Sequence, residues 1–198
     1  MNIKLRKAKL SVKTSLIIII IVSLITTGIM FYLAPGSLIK FLEFVKDSPS
    51  LFILNYLPVL LLMLLLYFIS GNCVFSSGFT FMLFVIASFV NRTKSILRQD
   101  PLIPSDLSVI TEVKSILQNY DKIYMILAAA AIVIIIAIIV LSFLFFKKSE
   151  NLTVKKRIIG SAICVICFIS MFSTAYSNSD LYDSYPVDGN SYFKVNQY

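Results

Sequence analysis

Residues 124–146 read YMILAAAAIVIIIAIIVLSFLFF, an apolar run without a charge, a glycine or a proline. A helix needs roughly 20 such residues, at about 1.5 Å each, to cross the hydrocarbon layer of a bilayer. Many of the side chains are β-branched, but in lipid every backbone N–H and C=O group must be bonded within the segment, which favours a helix. The run therefore predicts a membrane-spanning helix.

Four further apolar runs have a similar length. They lie at 15–33, 51–70, 74–90 and 158–176. The run at 74–90 is the weakest of the five, because hydroxyl-bearing residues and a glycine dilute it. The chain as a whole is 58% hydrophobic and 14% charged, whereas soluble domains are nearer a quarter charged. We predict an all-α fold, a polytopic membrane helix bundle with five transmembrane helices.

The charges between the spans predict the orientation of the chain. On one side of the membrane the segments hold ten basic residues and one acidic residue, and on the other side eight basic and nine acidic residues. These net charges of +9 and −1 make up the +8 of the whole chain. Basic segments stay in the cytoplasm, so we expect a multi-pass protein of the cell membrane with a cytoplasmic N-terminus. Residues 1–176 would form the five-span domain and residues 177–198 an extracellular C-terminal tail.

The residue inventory limits the chemistry. The chain has no His, which excludes imidazole-based zinc sites and catalytic triads that need His. Cys164 and Cys167 have the spacing of redox or metal motifs, but they lie inside the apolar run 158–176, where thiols behave as small hydrophobic groups. The five spans contain no charged residue, which argues against an ion or proton pathway. Asn55, close to Pro58, is expected to form a helix–helix hydrogen bond.

Two segments on the outer side have the spacing of amphipathic helices. Residues 37–47, SLIKFLEFVKD, place apolar residues on one face and charged residues toward the other, with Phe44 interrupting the polar face. We expect this helix to lie on the membrane with Phe44 in the headgroup layer. A second interfacial helix is predicted after Pro101 and Pro104, with Ser105 or Asp106 as its N-terminal cap.

A cluster of cations follows the third span and has two interpretations. Arg92, Lys94 and Arg98 could simply extend to lipid phosphates, as long basic side chains at span ends do. Alternatively they form a binding site for an anionic lipid headgroup, in which the planar fork of Arg98 matches a phosphate. Asp106 would then accept a hydrogen bond from a headgroup hydroxyl, unless it only caps its helix. The candidate headgroup-binding residues are Asn91, Lys94, Arg98, Ser105 and Asp106.

These residues carry a family resemblance. The arrangement N-x-x-K-x-x-x-R-x-x-P-x-x-P-S-D, from Asn91 to Asp106, resembles a pattern in the membrane domain of the lipoteichoic acid synthase and phosphoglycerol transferase family. Gln99 departs from the Gly expected after that Arg, and the tail looks like the stretch that joins the last span to the catalytic part. The resemblance implies a five-span domain that precedes an extracellular, sulfatase-like catalytic domain with a divalent metal.

None of that catalytic machinery is carried by these residues, so we expect no catalytic residue, no metal site and no cofactor in this chain, which alone should not be an enzyme. The expected partners are the phospholipid bilayer, an anionic lipid such as phosphatidylglycerol and a separate sulfatase-like catalytic domain, but no nucleic acid. Two alternatives remain open at this point. The chain could be a small membrane transport or pore component, or an assembly protein with no ligand.

Overall fold

The computed structural model describes residues 10–33, 38–47, 49–98 and 152–176, together with residues 126, 130, 133–134 and 136–142. Five α-helices have defined bounds, and the last continues into a π-helical segment, Phe172–Tyr176. They are α1 (Val12–Leu33), α2 (Leu38–Asp47), α3 (Pro49–Ser70), α4 (Cys73–Arg98) and α5 (Val154–Met171). Within the described residues there is no β-strand, which confirms the prediction of an all-α fold.

Four helices are long and apolar enough to cross a membrane. They are Val12–Leu33, Pro49–Ser70, Cys73–Arg92 and Val154–Thr174. The described residues of the remaining apolar run, 124–146, are also helical, but the bounds of that helix lie outside them. Four of the five predicted spans therefore have helices of sufficient length, and the total of five stays a prediction. The second interfacial helix and the tail also lie outside the described residues.

A tight connection makes α3 and α4 antiparallel neighbours. Gly71 has a φ of 75°, a left-handed conformation that glycine adopts without strain, and its N–H donates to the Tyr67 carbonyl at 2.7 Å. The side chain of Asn72 then accepts from the backbone N–H groups of Val74 and Phe75 at 3.1 and 3.2 Å. These bonds satisfy donors that have no partner within the helix, so α4 begins immediately after α3 ends.

The hydroxyl-bearing residues of the third apolar run face the interior of the bundle. Ser76, Ser77 and Thr80 are buried on α4, which packs against α1. On α1, hydroxyls are buried as well: those of Ser15, Ser23, Thr26 and Thr27. Small side chains allow two helix backbones to approach closely, and hydroxyls can bond to carbonyls of their own helix. These residues thus form the contact between α1 and α4.

The bundle has a Leu33 end and an Arg157 end. At the Leu33 end α1 ends and α3 begins, and α2 lies between them in the sequence. At the Arg157 end α3 ends, and α4 and α5 begin. The largest buried side chains cluster nearer the Arg157 end, around Ile19, Met63 and Tyr67.

Phe44 of α2 stacks on Phe31 of α1, with ring centroids 4.9 Å apart. The prediction that Asn55 forms a hydrogen bond to another helix was wrong. Asn55 donates to the carbonyl of Leu51 at 2.8 Å, within its own helix. A carbonyl four residues earlier in the helix is within reach of a short polar side chain, and it competes with a partner on another helix.

Helix α5 lies at the edge of the bundle and contacts α3. Arg157 donates through Nε to the Phe68 carbonyl at 2.9 Å and through Nη2 to the Ile69 carbonyl. One turn further on, Gly160 lies directly against the Phe68 ring. Most apolar side chains of α5 are exposed, which suits a surface covered by lipid. Cys164 is buried and Cys167 exposed, and neither forms a disulfide bond.

Candidate anion-binding site at the end of helix α4

The candidate site lies on the last part of α4, beyond its apolar residues. The apolar part of this helix ends at Arg92, but the helix continues to Arg98, about 9 Å further at 1.5 Å per residue. The third predicted span ended at residue 90, and the helix continues eight residues beyond it. The first helix-breaking residue is Pro101, so nothing in the sequence 91–98 ends the helix earlier.

The helical continuation arranges three candidate residues along one line. Asn91, Lys94 and Arg98 are separated by three and four residues, the spacing at which positions on an α-helix share a face. Asn91 is half-buried at the edge of the bundle. The side chains of Lys94 and Arg98, and all of Ser105 and Asp106, lie outside the described residues. The structure therefore brings three of the five candidate positions onto one helix face and describes nothing of the other two.

Arg92 has a described partner on another helix. Its Nη1 donates to the carbonyl oxygen of Leu33, the last residue of α1, at 2.9 Å. The final carbonyls of a helix have no partner within the helix and carry partial negative charge, so a guanidinium group there is favourable. Arg92 therefore caps α1 and ties its end to α4. The sequence gives no signal for this contact, because the two residues are 59 positions apart.

The surroundings of this end of the bundle are those of an interfacial surface. Helix α2 packs against α3 and α1, and the Phe31 ring lies between Phe44 and Phe52, with centroids 4.9 and 5.5 Å away. The charged residues Glu43, Lys46 and Asp47 of α2 are exposed. An amphipathic helix with an anchored aromatic face and exposed charges is typical of the boundary between lipid and water.

Polar contacts at the Arg157 end were not predicted. Asn72, 2% exposed, donates through Nδ2 to the Ser142 carbonyl at 2.9 Å, in addition to capping α4. Arg157 caps α3 as Arg92 caps α1. The distant carbonyls that Asn72 and Arg157 bind cannot be read from the sequence.

Among the described residues there is no group of three His, Cys, Asp or Glu side chains that could hold a metal ion. At the Leu33 end the described part of the chain presents the amide of Asn91, the guanidinium of Arg92 bonded to the Leu33 carbonyl, and the exposed charges of Glu43, Lys46 and Asp47.

No family model, no curated protein and no solved structure matches this chain.

Proposed function

We propose that this chain is an integral membrane domain that holds an anionic phospholipid, such as phosphatidylglycerol, by its headgroup at the outer face of the membrane. The observation that carries the proposal is the continuation of α4 to Arg98, six residues beyond its apolar part. This continuation puts the backbone positions of Asn91, Lys94 and Arg98 on one helix face, and the proposal places that face at the height of the lipid headgroups.

The proposal gives each residue its own role. Arg92 is engaged with the end of α1, so the positive charge for the ligand comes from Lys94 and Arg98. A guanidinium group offers two parallel N–H donors that match two phosphate oxygens, whereas an ammonium group is a point charge. Asn91 adds an amide, and Ser105 and Asp106 are proposed to contact the hydroxyls of the headgroup.

The resemblance to the membrane domain of lipoteichoic acid synthases supports two separate roles. The membrane domain would position a lipid, and a sulfatase-like catalytic domain would act on it. We propose that the residues named above serve to hold the lipid, and no catalytic residue or cofactor is proposed among them. A divalent metal would belong to the catalytic partner.

The test is the retention of phosphatidylglycerol by the purified protein, measured by native mass spectrometry. The variant Arg98→Lys keeps the charge but loses the fork, and hydrogen bonds to charged groups contribute about 1–3 kcal/mol. We expect its affinity for phosphatidylglycerol to fall by a factor of about 5 to 150, which is that energy converted.

The matched control is Arg92→Lys, the same change six residues earlier on the same helix. Because Arg92 donates to the Leu33 carbonyl, its replacement should lower the stability of the bundle and leave lipid retention unchanged. Equal retention in wild type and Arg98→Lys would remove the headgroup site and favour an assembly protein without a ligand. Equal losses in both variants would show that a less stable bundle, and not the loss of the paired N–H donors of Arg98, releases the lipid, which would also contradict the site.

A further inference from the structure

Three buried hydroxyl groups have no hydrogen-bond partner among the described residues of the chain. They belong to Tyr67, Ser77 and Thr80, whose exposed fractions are 0%, 5% and 0%. Burying a hydroxyl without a partner is unfavourable, and inside a bilayer there is no bulk water to compensate. Three such groups in one small bundle therefore need an explanation.

The three groups lie in the same part of the bundle. Tyr67 belongs to the buried cluster that also contains Cys73, on the other side of the tight turn between α3 and α4. Ser77 and Thr80 follow Cys73 at spacings of four and three residues, on the same face of α4. Thr80 is about 10 Å from the start of α4, at 1.5 Å per residue, so the group spans the half of the bundle nearer the Arg157 end.

The neighbouring hydroxyls, in contrast, are satisfied within the chain. Ser76 donates to the Cys73 carbonyl at 3.1 Å, and Thr26 donates to the Val22 carbonyl at 2.7 Å. Ser23 reaches both the Ile20 carbonyl and the Tyr56 hydroxyl, at 2.9 and 3.2 Å. The unpartnered hydroxyls are thus a local group within a polar core that is otherwise bonded.

The nearest incompletely described segment offers few additional side-chain partners. Among residues 124–146 only Tyr124 and Ser142 carry a side-chain oxygen. The Ser142 hydroxyl donates to the Ile139 carbonyl at 2.9 Å. The described residues 136–142 of this run are antiparallel to α4, as the contacts Asn72–Ser142 and Gly78–Ile138 require.

We propose that Tyr67, Ser77 and Thr80 bind ordered water inside the half of the bundle nearer the Arg157 end. Hydroxyl groups both donate and accept, as water does, and buried waters typically make two to four hydrogen bonds to polar groups that would otherwise lack partners. The spans carry no charge, so the site suits a neutral molecule and not an ion. The proposal is independent of lipid binding at the Leu33 end.

The direct test is X-ray radiolysis of the full chain in lipid nanodiscs prepared in heavy-oxygen water. Radicals formed from bound water modify the residue beside it, and Tyr67 is fully buried from bulk solvent. We expect Tyr67 to acquire heavy oxygen at a rate comparable with that of the exposed Tyr32, while the buried Phe31, in the other half of the bundle, is modified far more slowly. Modification of Tyr67 as slow as that of Phe31 would overturn the proposal.

A second measurement uses the isosteric change Thr80→Val, with Thr26→Val as its matched control. If Thr80 binds water, the variant should melt about 2–4 °C below wild type, as expected for one lost hydrogen bond in a protein of this size. Thr26→Val removes only a bond to its own helix and should melt closer to wild type. A Thr80→Val variant as stable as wild type, or more stable, would mean that the hydroxyl is dry and would overturn the proposal.

Discussion

At the scale of the residue, Asn72 uses both ends of its side-chain amide. The oxygen accepts from two N–H groups at the start of α4, and the nitrogen donates to the Ser142 carbonyl. The residue is 2% exposed, so a group left unpaired there would have no water to replace its partner. Asn72 thus joins the beginning of α4 to the apolar run 124–146.

We predict that Asn72→Ala lowers the free energy of unfolding by about 1–3 kcal/mol, because it removes the cap of α4 and leaves the Ser142 carbonyl without that donor. Asn72→Ser should cost less, since a serine hydroxyl can still cap the helix but is too short to reach Ser142. Thermal denaturation in lipid nanodiscs measures both. The control is Asn55→Ala, whose amide bonds only within its own helix and whose loss should change little. Equal effects of the two alanine variants would contradict the role of Asn72.

Single residues also mark the limit of what the sequence could predict. Arg92 was correctly recognised as a cation at the end of a span, but its partner is the backbone carbonyl of Leu33. Every residue has a carbonyl, so the identity of the one bound depends on the packing of α1 against α4 and not on a motif. Arg157 likewise binds two backbone carbonyls, those of Phe68 and Ile69, which no motif identifies.

At the scale of the element, α4 differs most from the prediction. Its hydroxyl residues were taken as a dilution of the apolar run, yet Cys73, Ser76, Ser77 and Thr80 recur at spacings of three and four and form the buried face. That periodicity was available in the sequence. The continuation to Arg98 was available as well, because no helix breaker precedes Pro101. The Phe44–Phe31 stack could not be predicted from the sequence, because it depends on the direction of α2 relative to α1.

We predict that Gly160→Ala weakens the contact between α5 and α3. A Cβ at this position would lie 2.6 Å from the Phe68 ring, which is closer than atoms pack, so either the ring or one of the two helices must shift. Overpacking of this kind costs about 1–3 kcal/mol, against about 1 kcal/mol that alanine gains over glycine as a helix former. The measurement is thermal denaturation, read at α5 by the reactivity of a cysteine introduced in place of Lys155.

The matched control for this variant is Gly28→Ala on α1, where an added Cβ would meet nothing within 4 Å. This change should leave the protein equally stable or slightly more stable, since only the helix preference acts. A Gly160→Ala protein as stable as Gly28→Ala would show that α5 does not pack closely on α3.

At the scale of the whole molecule, the exposed surface of the helices is apolar where a soluble protein would be polar. On α5 large apolar side chains such as Ile158, Ile166 and Ile169 are 62–65% exposed, and α1 exposes a similar row. Contiguous apolar surface of this extent requires a covering, and lipid supplies it. Hydropathy was sufficient to predict this architecture, because a lipid solvent leaves the backbone few choices. The fifth predicted span, 124–146, and the proposed lipid site beyond Arg92 rest on residues or side chains outside the described part of the chain.

We propose that the end of α4 that carries Arg92, Lys94 and Arg98 lies at the outer surface of the membrane. Labelling with a membrane-impermeant maleimide in intact cells tests this orientation directly. Lys46 on α2 and Lys155 on α5 are exposed, at the Leu33 end and the Arg157 end respectively. We predict that Lys46→Cys is labelled in intact cells, whereas Lys155→Cys is labelled only after permeabilisation, because basic segments stay inside. The wild type gives the background of the native cysteines, which all lie within the apolar helices. Labelling of Lys155→Cys, but not Lys46→Cys, in intact cells would contradict the claim.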